Sequence, residues 1–104
     1  MENNYFFRSF PKEFVSLKHL NISGSVIRSL PQDLKALKHL SANSAYYLES
    51  IPTTCNQLEY LSIQYNKKIR FLPDALTKLK YLNISNCSHR VSLPVMLLNT
   101  KIVK

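Results

Sequence analysis

The chain has 104 residues, 45% of them hydrophobic, and 14 Lys and Arg against 6 Asp and Glu give it a formal charge of +8. That is the length of one domain with an ordinary apolar content, which excludes a disordered chain. No run approaches the roughly 18 to 20 apolar residues of a membrane-spanning helix, and the opening MENNYFFRSFPKEF has no apolar core before a small-residue cleavage site, so a cytoplasmic protein is expected.

Prolines set the organisation of the chain. Pro11, Pro31, Pro52, Pro73 and Pro94 recur at intervals of 20, 21, 21 and 21 residues, each after a large apolar residue (Phe10, Leu30, Ile51, Leu72, Leu93). Such a fixed period is the signature of a repeat architecture. In chain order, residues 1–16 form a partial first unit or an aromatic cap built on Tyr5, Phe6, Phe7, Phe10 and Phe14. Four full units follow: LKHLNISGSVIRSLPQDLKA (17–36), LKHLSANSAYYLESIPTTCNQ (37–57), LEYLSIQYNKKIRFLPDALTK (58–78) and LKYLNISNCSHRVSLPVMLLN (79–99). Residues 100–104 begin another unit, with Thr100 at its first position and Val103 at its second Leu position. The chain thus starts and stops in mid-repeat, as either a locally capped domain or part of a longer repeat protein.

Each unit alternates apolar and polar residues after its second leucine. In Leu20-Asn21-Ile22-Ser23 the alternation has period two, which predicts a short half-buried strand with Leu20 and Ile22 inward and His19, Asn21 and Ser23 outward. Pro then ends the pairing, because it has no N–H to donate, and favours a turn or polyproline path. Each unit becomes one coil of a stack with parallel strands roughly 4.8 Å apart.

The shared frame L-x-x-L-x-[LIA]-x-x-[SANC] resembles the leucine-rich repeat in its short form with Leu-Pro on the return segment. The resemblance implies an α/β repeat solenoid: a right-handed coil with short parallel strands on its concave face and irregular, 3-10 or polyproline segments on its convex side. It also implies that the ninth residue of each unit, Ser25, Ala45, Asn66 and Cys87, satisfies backbone groups inside the turn. Asn66 and Cys87 fit that role and Ser25 can do part of it. Ala45 has no side-chain donor or acceptor, so its turn needs water or an altered loop. Ala42 replaces the Ile of neighbouring strands, with Tyr46 or Tyr47 expected to fill the missing volume. In the last full unit Arg90 falls where an apolar residue belongs, which predicts a one-residue shift that brings in Val91.

Outward strand positions form columns: His19, His39, Tyr60, Tyr81; then Asn21, Ser41, Ser62, Asn83; then Ser23, Asn43, Gln64, Ser85. The chain is expected to bind a protein through this face, an acidic one being suited to its charge, with His19, Asn21, His39, Asn43, Tyr60, Gln64, Tyr81 and Asn83 as contacts. Rigid aromatics supply contact area and amides supply orientation. Similar cytosolic repeats occur in plant resistance proteins, signalling scaffolds and bacterial effectors, so a sensing or scaffolding part of a signalling or defence protein is implied.

No catalytic set, cofactor or metal site is expected. The strand serines have no acid beside them, and Gly24 is the only glycine, which leaves no Gly-rich phosphate loop. His19 and His39 lack a third ligand, and Cys55 and Cys87 have neither zinc spacing nor a disulfide framework. Three glycosylation sequons, at Asn21, Asn83 and Asn86, read as by-products of polar alternation. The alternative to protein binding is a basic surface for nucleic acid or anionic membrane, resting on Lys67, Lys68 and Arg70 with Tyr65 and Phe71 nearby. A further alternative is a fragment without independent function.

Overall fold

The structure is a computed structural model that describes residues 15–94, 97 and 99–104. The aromatic cluster from Tyr5 to Phe14 lies outside the described residues. Five three-residue strands, β1 (His19–Asn21), β2 (His39–Ser41), β3 (Tyr60–Ser62), β4 (Tyr81–Asn83) and β5 (Lys101–Val103), form one parallel sheet in sequence order. Each strand pairs with the next in the register that the repeat predicts for the first four: Leu20 opposite Leu40, Leu40 opposite Leu61, Leu61 opposite Leu82. Consecutive units are therefore neighbouring coils of a solenoid.

The core is a set of apolar columns, one residue per coil. Leu20, Leu40, Leu61 and Leu82 are fully buried from the strands, followed by Ile22, Ala42 and Ile63. Ile27, Leu48, Ile69 and Val91 line the ascending side, and Leu34, Cys55, Leu76 and Leu97 close the back. The one-residue shift in the fourth coil is present: Val91 is buried and Arg90 exposed. It shows also in the backbone, where Ser92 N donates to Arg70 O, 22 residues back, while Glu49 N donates to Arg28 O, 21 back.

The described return segments carry no α-helix, so of the α/β solenoid expectation the structure shows the parallel-strand part, with the irregular convex path that the repeat implied. Among the described residues the only helical backbone is a short 3-10 segment at Val15 and Ser16. Instead, Pro52 O accepts from Cys55 N at 3.2 Å and Cys55 O from Leu58 N at 3.4 Å, and Pro73, Leu76 and Leu79 repeat the pair of turns. These three-residue steps bring Cys55 and Leu58, or Leu76 and Leu79, to the core in turn. The physical reason is local: only five residues separate Pro52 from Leu58 and Pro73 from Leu79, too few to offset the cost of nucleating a helix. The fold is a parallel β-solenoid.

Two further expectations are corrected. In β5, pairing sets Ile102, not Val103, opposite Leu82. Ile102 packs against the core while Lys101 is exposed beside Tyr81, so the inward apolar residue decides the register. Tyr46 and Tyr47 do not fill the space beside Ala42; they are 39% and 45% exposed.

Candidate interaction face

The strand face is built by register. Because His19, His39, Tyr60 and Tyr81 pair across β1 to β4, their side chains stand in one outward column. His39 stacks on Tyr60 with ring centroids 3.9 Å apart and planes within 5°, and Tyr60 stacks on Tyr81 at 4.8 Å and 4°. His19 lies 5.4 Å from His39, tilted by 36°. Ring faces are thus turned toward one another along the sheet, and the ring edges with their polar tips remain for a partner. Lys101 extends the column beyond Tyr81.

The other predicted contacts are partly committed to the protein itself. Asn43 Oδ1 accepts from Ser62 Oγ at 2.6 Å and from the Gln64 amide at 3.0 Å. Asn21 Oδ1 accepts from the Ser23 amide at 2.9 Å, and Asn83 Oδ1 from the Ser85 amide and hydroxyl at 3.0 and 2.7 Å. Asn83 is only 8% exposed, and its Nδ2 donates to the Tyr81 hydroxyl at 3.4 Å. These amides pin the turns that leave the strands, which also makes Asn21 and Asn83 poor glycan acceptors. The aromatic column is the preorganised part of the predicted set, with His19 exposed and the stacked His39, Tyr60 and Tyr81 half-buried. The basic residues Lys67, Lys68 and Arg70 lie elsewhere, on the loop after β3, all exposed.

Electrostatics at the face are mild. Burial, and secondarily the neighbouring His19, lower the His39 pKa below its ordinary value. The Lys80–Glu59 pair at 3.8 Å is exposed and contributes little. Both thiols are free, and burial keeps them protonated: Cys55 is pushed up to about 11, and Cys87 is raised by burial against a smaller lowering by the backbone at Asn66. Neither is a ready nucleophile at neutral pH.

The turn after each strand explains the ninth position. Asn66 Nδ2 donates to the Ala45 and Leu48 carbonyls, both at 3.0 Å, while its Oδ1 accepts from the Lys68 and Ile69 amides at 2.8 and 2.6 Å. Cys87 Sγ donates to Ile63 O at 3.3 Å. The coil with Ala45 is altered as expected: Leu48 N turns to Ala45 O at 3.3 Å, where Ile69 N uses Asn66. Ser25 departs from expectation, since its buried hydroxyl has no hydrogen-bond partner. The residue just before is left-handed in each of the four full coils, with φ of 76° at Gly24, 60° at Ser44, 64° at Tyr65 and 61° at Asn86. Only Gly24 adopts that backbone without a steric cost.

Sequence reasoning missed one arrangement. Lys67 Nζ lies 4.9 Å from the Tyr46 ring centroid, and the Arg28 guanidinium 5.9 Å from that of Tyr47. The signal was available in part, because Tyr46 and Lys67 are 21 residues apart and hence at the same position of adjacent coils.

Residues 78–99 match the family model described as Leucine Rich Repeat. No characterised protein and no solved structure shows a significant match to the chain. The family match over that segment and the parallel-strand coil together fit a leucine-rich-repeat solenoid. Such repeats are generally non-catalytic and commonly serve as protein-interaction modules. Among the described residues no helix is long and apolar enough to cross a membrane.

Proposed function

We propose that the chain is a non-catalytic, cytoplasmic module that binds a protein partner across the strand face, as a sensing or scaffolding part of a signalling or defence protein. The observation that carries this reading is the stacked column His39, Tyr60 and Tyr81. Stacking fixes the rings before binding, so little side-chain freedom is lost when a partner docks, and aromatic anchors of this kind dominate interface energetics. Imidazole and phenol groups along the column supply donors, and Lys101 and the flanking Lys18, Lys38 and Lys80 favour a partner with acidic or carbonyl acceptors.

Size moderates affinity. Five strands about 4.8 Å apart with some three residues of useful length give a projected face of about 250 Å². A standard interface buries about 800 Å² on each side. The strand face therefore supports a weak, transient contact unless adjoining loops take part. The test compares affinity-tagged full-length chain with a His39→Ala, Tyr60→Ala double variant of unchanged melting temperature in pull-downs. Loss of specific co-purifying proteins is expected from the variant, and equal recovery would remove the strand face from the reading.

A further inference from the structure

The loops leaving the strands form an edge whose chemistry differs from that of the sheet face. Tyr46 and Tyr47 project there from the second coil, each with a cation over its ring from an adjacent coil, Lys67 at 4.9 Å and Arg28 at 5.9 Å. Both rings remain open to solvent, as are Tyr65 at 49% and Phe71 at 72% exposure. Over the segments 24–28, 44–49, 65–71 and 86–90 these loops hold Arg28, Lys67, Lys68, Arg70 and Arg90 against a single acid, Glu49. Among the described residues the one ion pair is Lys80–Glu59, so none of the described carboxylates is paired with these cations.

We propose that this edge binds single-stranded nucleic acid, with bases stacking on Tyr46, Tyr47 and Tyr65 and phosphates held by Lys67, Lys68 and Arg70. Open aromatic faces interleaved with cations are what a flexible polyanion with planar bases requires, and stacking of this kind tolerates any sequence. A base on the free side of Tyr46 completes a sandwich whose other side Lys67 already occupies. A cation above a ring also places positive charge within reach of the adjoining phosphate. A duplex would not present its base faces, and among the described residues no helix is available to enter a groove. A bilayer is less suited, because among the described residues Phe71 and Val26 are the only wholly apolar large side chains exposed on this edge, and the other exposed rings there are phenols. The edge is distinct from the strand face, so this inference stands or falls independently of the protein-binding role.

The experiment titrates the full chain into fluorescein-labelled oligouridylate and oligothymidylate by fluorescence anisotropy at several salt concentrations. With the three phosphate contacts of Lys67, Lys68 and Arg70, affinity is expected to fall roughly 20-fold between about 50 and 200 mM salt. A Tyr46→Ala, Tyr47→Ala double variant should bind at least about 10-fold more weakly with the salt slope kept. A Lys67→Gln, Lys68→Gln variant should lower that slope by about 1.4. Tyr65→Gly guards against misfolding, since it removes a ring while relaxing a left-handed residue, and it too should weaken binding; His39→Ala should not. No binding at low salt, or affinity indifferent to the tyrosines, would overturn the proposal. So would retention by phosphatidylserine vesicles under conditions where the oligonucleotides fail to bind, which would assign the edge to a membrane surface.

Discussion

A single amide shows how much one residue does in this fold. Asn66 is 1% exposed and makes four hydrogen bonds, two to carbonyls of the coil before it and two to amides of its own turn. Removing the side chain leaves the Leu48 carbonyl and the Ile69 amide buried without this partner, while the Ala45 carbonyl keeps the Leu48 amide and Lys68 lies at the surface; each unsatisfied buried group costs about 1 to 3 kcal/mol. Partial relaxation of the kind seen at Ala45, where Leu48 N finds the Ala45 carbonyl, recovers some of this. Asn66→Ala is therefore expected to lower stability by about 3 kcal/mol, read as a shift of the urea midpoint at constant m-value. Ser25→Ala is the matched contrast at the same position of the first coil. Its hydroxyl is buried and unpartnered, so the substitution should leave the midpoint unchanged or raise it. If the two substitutions cost the same, the side-chain bonds of Asn66 are not what holds the turn.

At the scale of the element, the aromatic column couples four strands to pH. The His39 pKa lies below its ordinary 6.5, through burial first and the charge of His19 second. Facing it are His19 on β1 and Tyr60 on β3, with Lys18, Lys38 and Glu59 flanking the column. The unfolded chain takes up a proton at His39 near the ordinary value, whereas the folded chain does so only at lower pH. This contribution is complete above about 6.5 and is lost as the pH falls from there through the lowered folded value. The melting-temperature advantage of wild type over His39→Gln should accordingly shrink between pH 7.5 and pH 5. A constant difference would show that the stack, not titration, sets the role of His39. Elements of this kind were legible because the period-two alternation in Leu20-Asn21-Ile22-Ser23 and the 21-residue spacing fix which residues pair. The turns after Pro52 and Pro73 were legible from the prolines themselves. Two features were not. The β5 register depends on Ile102 competing with Val103 for one inward site. The orientation of Tyr46 and Tyr47 depends on cations from other coils, contacts that appear only once coils are stacked. Of the predicted contact residues, the aromatic column could be read from register alone. The fate of Asn43 and Asn83 could not, because the Asn43 acceptor is taken up by the next coil and the Asn83 acceptor by its own turn.

The whole molecule is a one-dimensional array in which each strand touches only its neighbours. Stability should then grade along the chain by how many sides of a layer are covered, more than by the quality of individual bonds. Leu61 is fully buried between Leu40 and Leu82, while Ile102 is only partly buried and pairs with Leu82 alone. Leu61→Ala is expected to cost about 2 to 5 kcal/mol, and Ile102→Ala less than half as much, because a partly covered site loses fewer contacts and can close over the gap. Native-state hydrogen exchange offers a check free of mutation. The Ile63 amide bonds Asn83 O at 2.9 Å and the Ile84 amide bonds Val103 O at 2.8 Å, so bond length favours neither. Position does: opening at Ile63 must separate two central layers, whereas at Ile84 it needs only release of the three residues of β5. Ile63 should exchange more slowly than Ile84, and Leu61→Ala should bring the two rates together. Equal rates in the wild type would mean that the array opens as one unit, and the Ile102 layer would then be as strongly held as the centre.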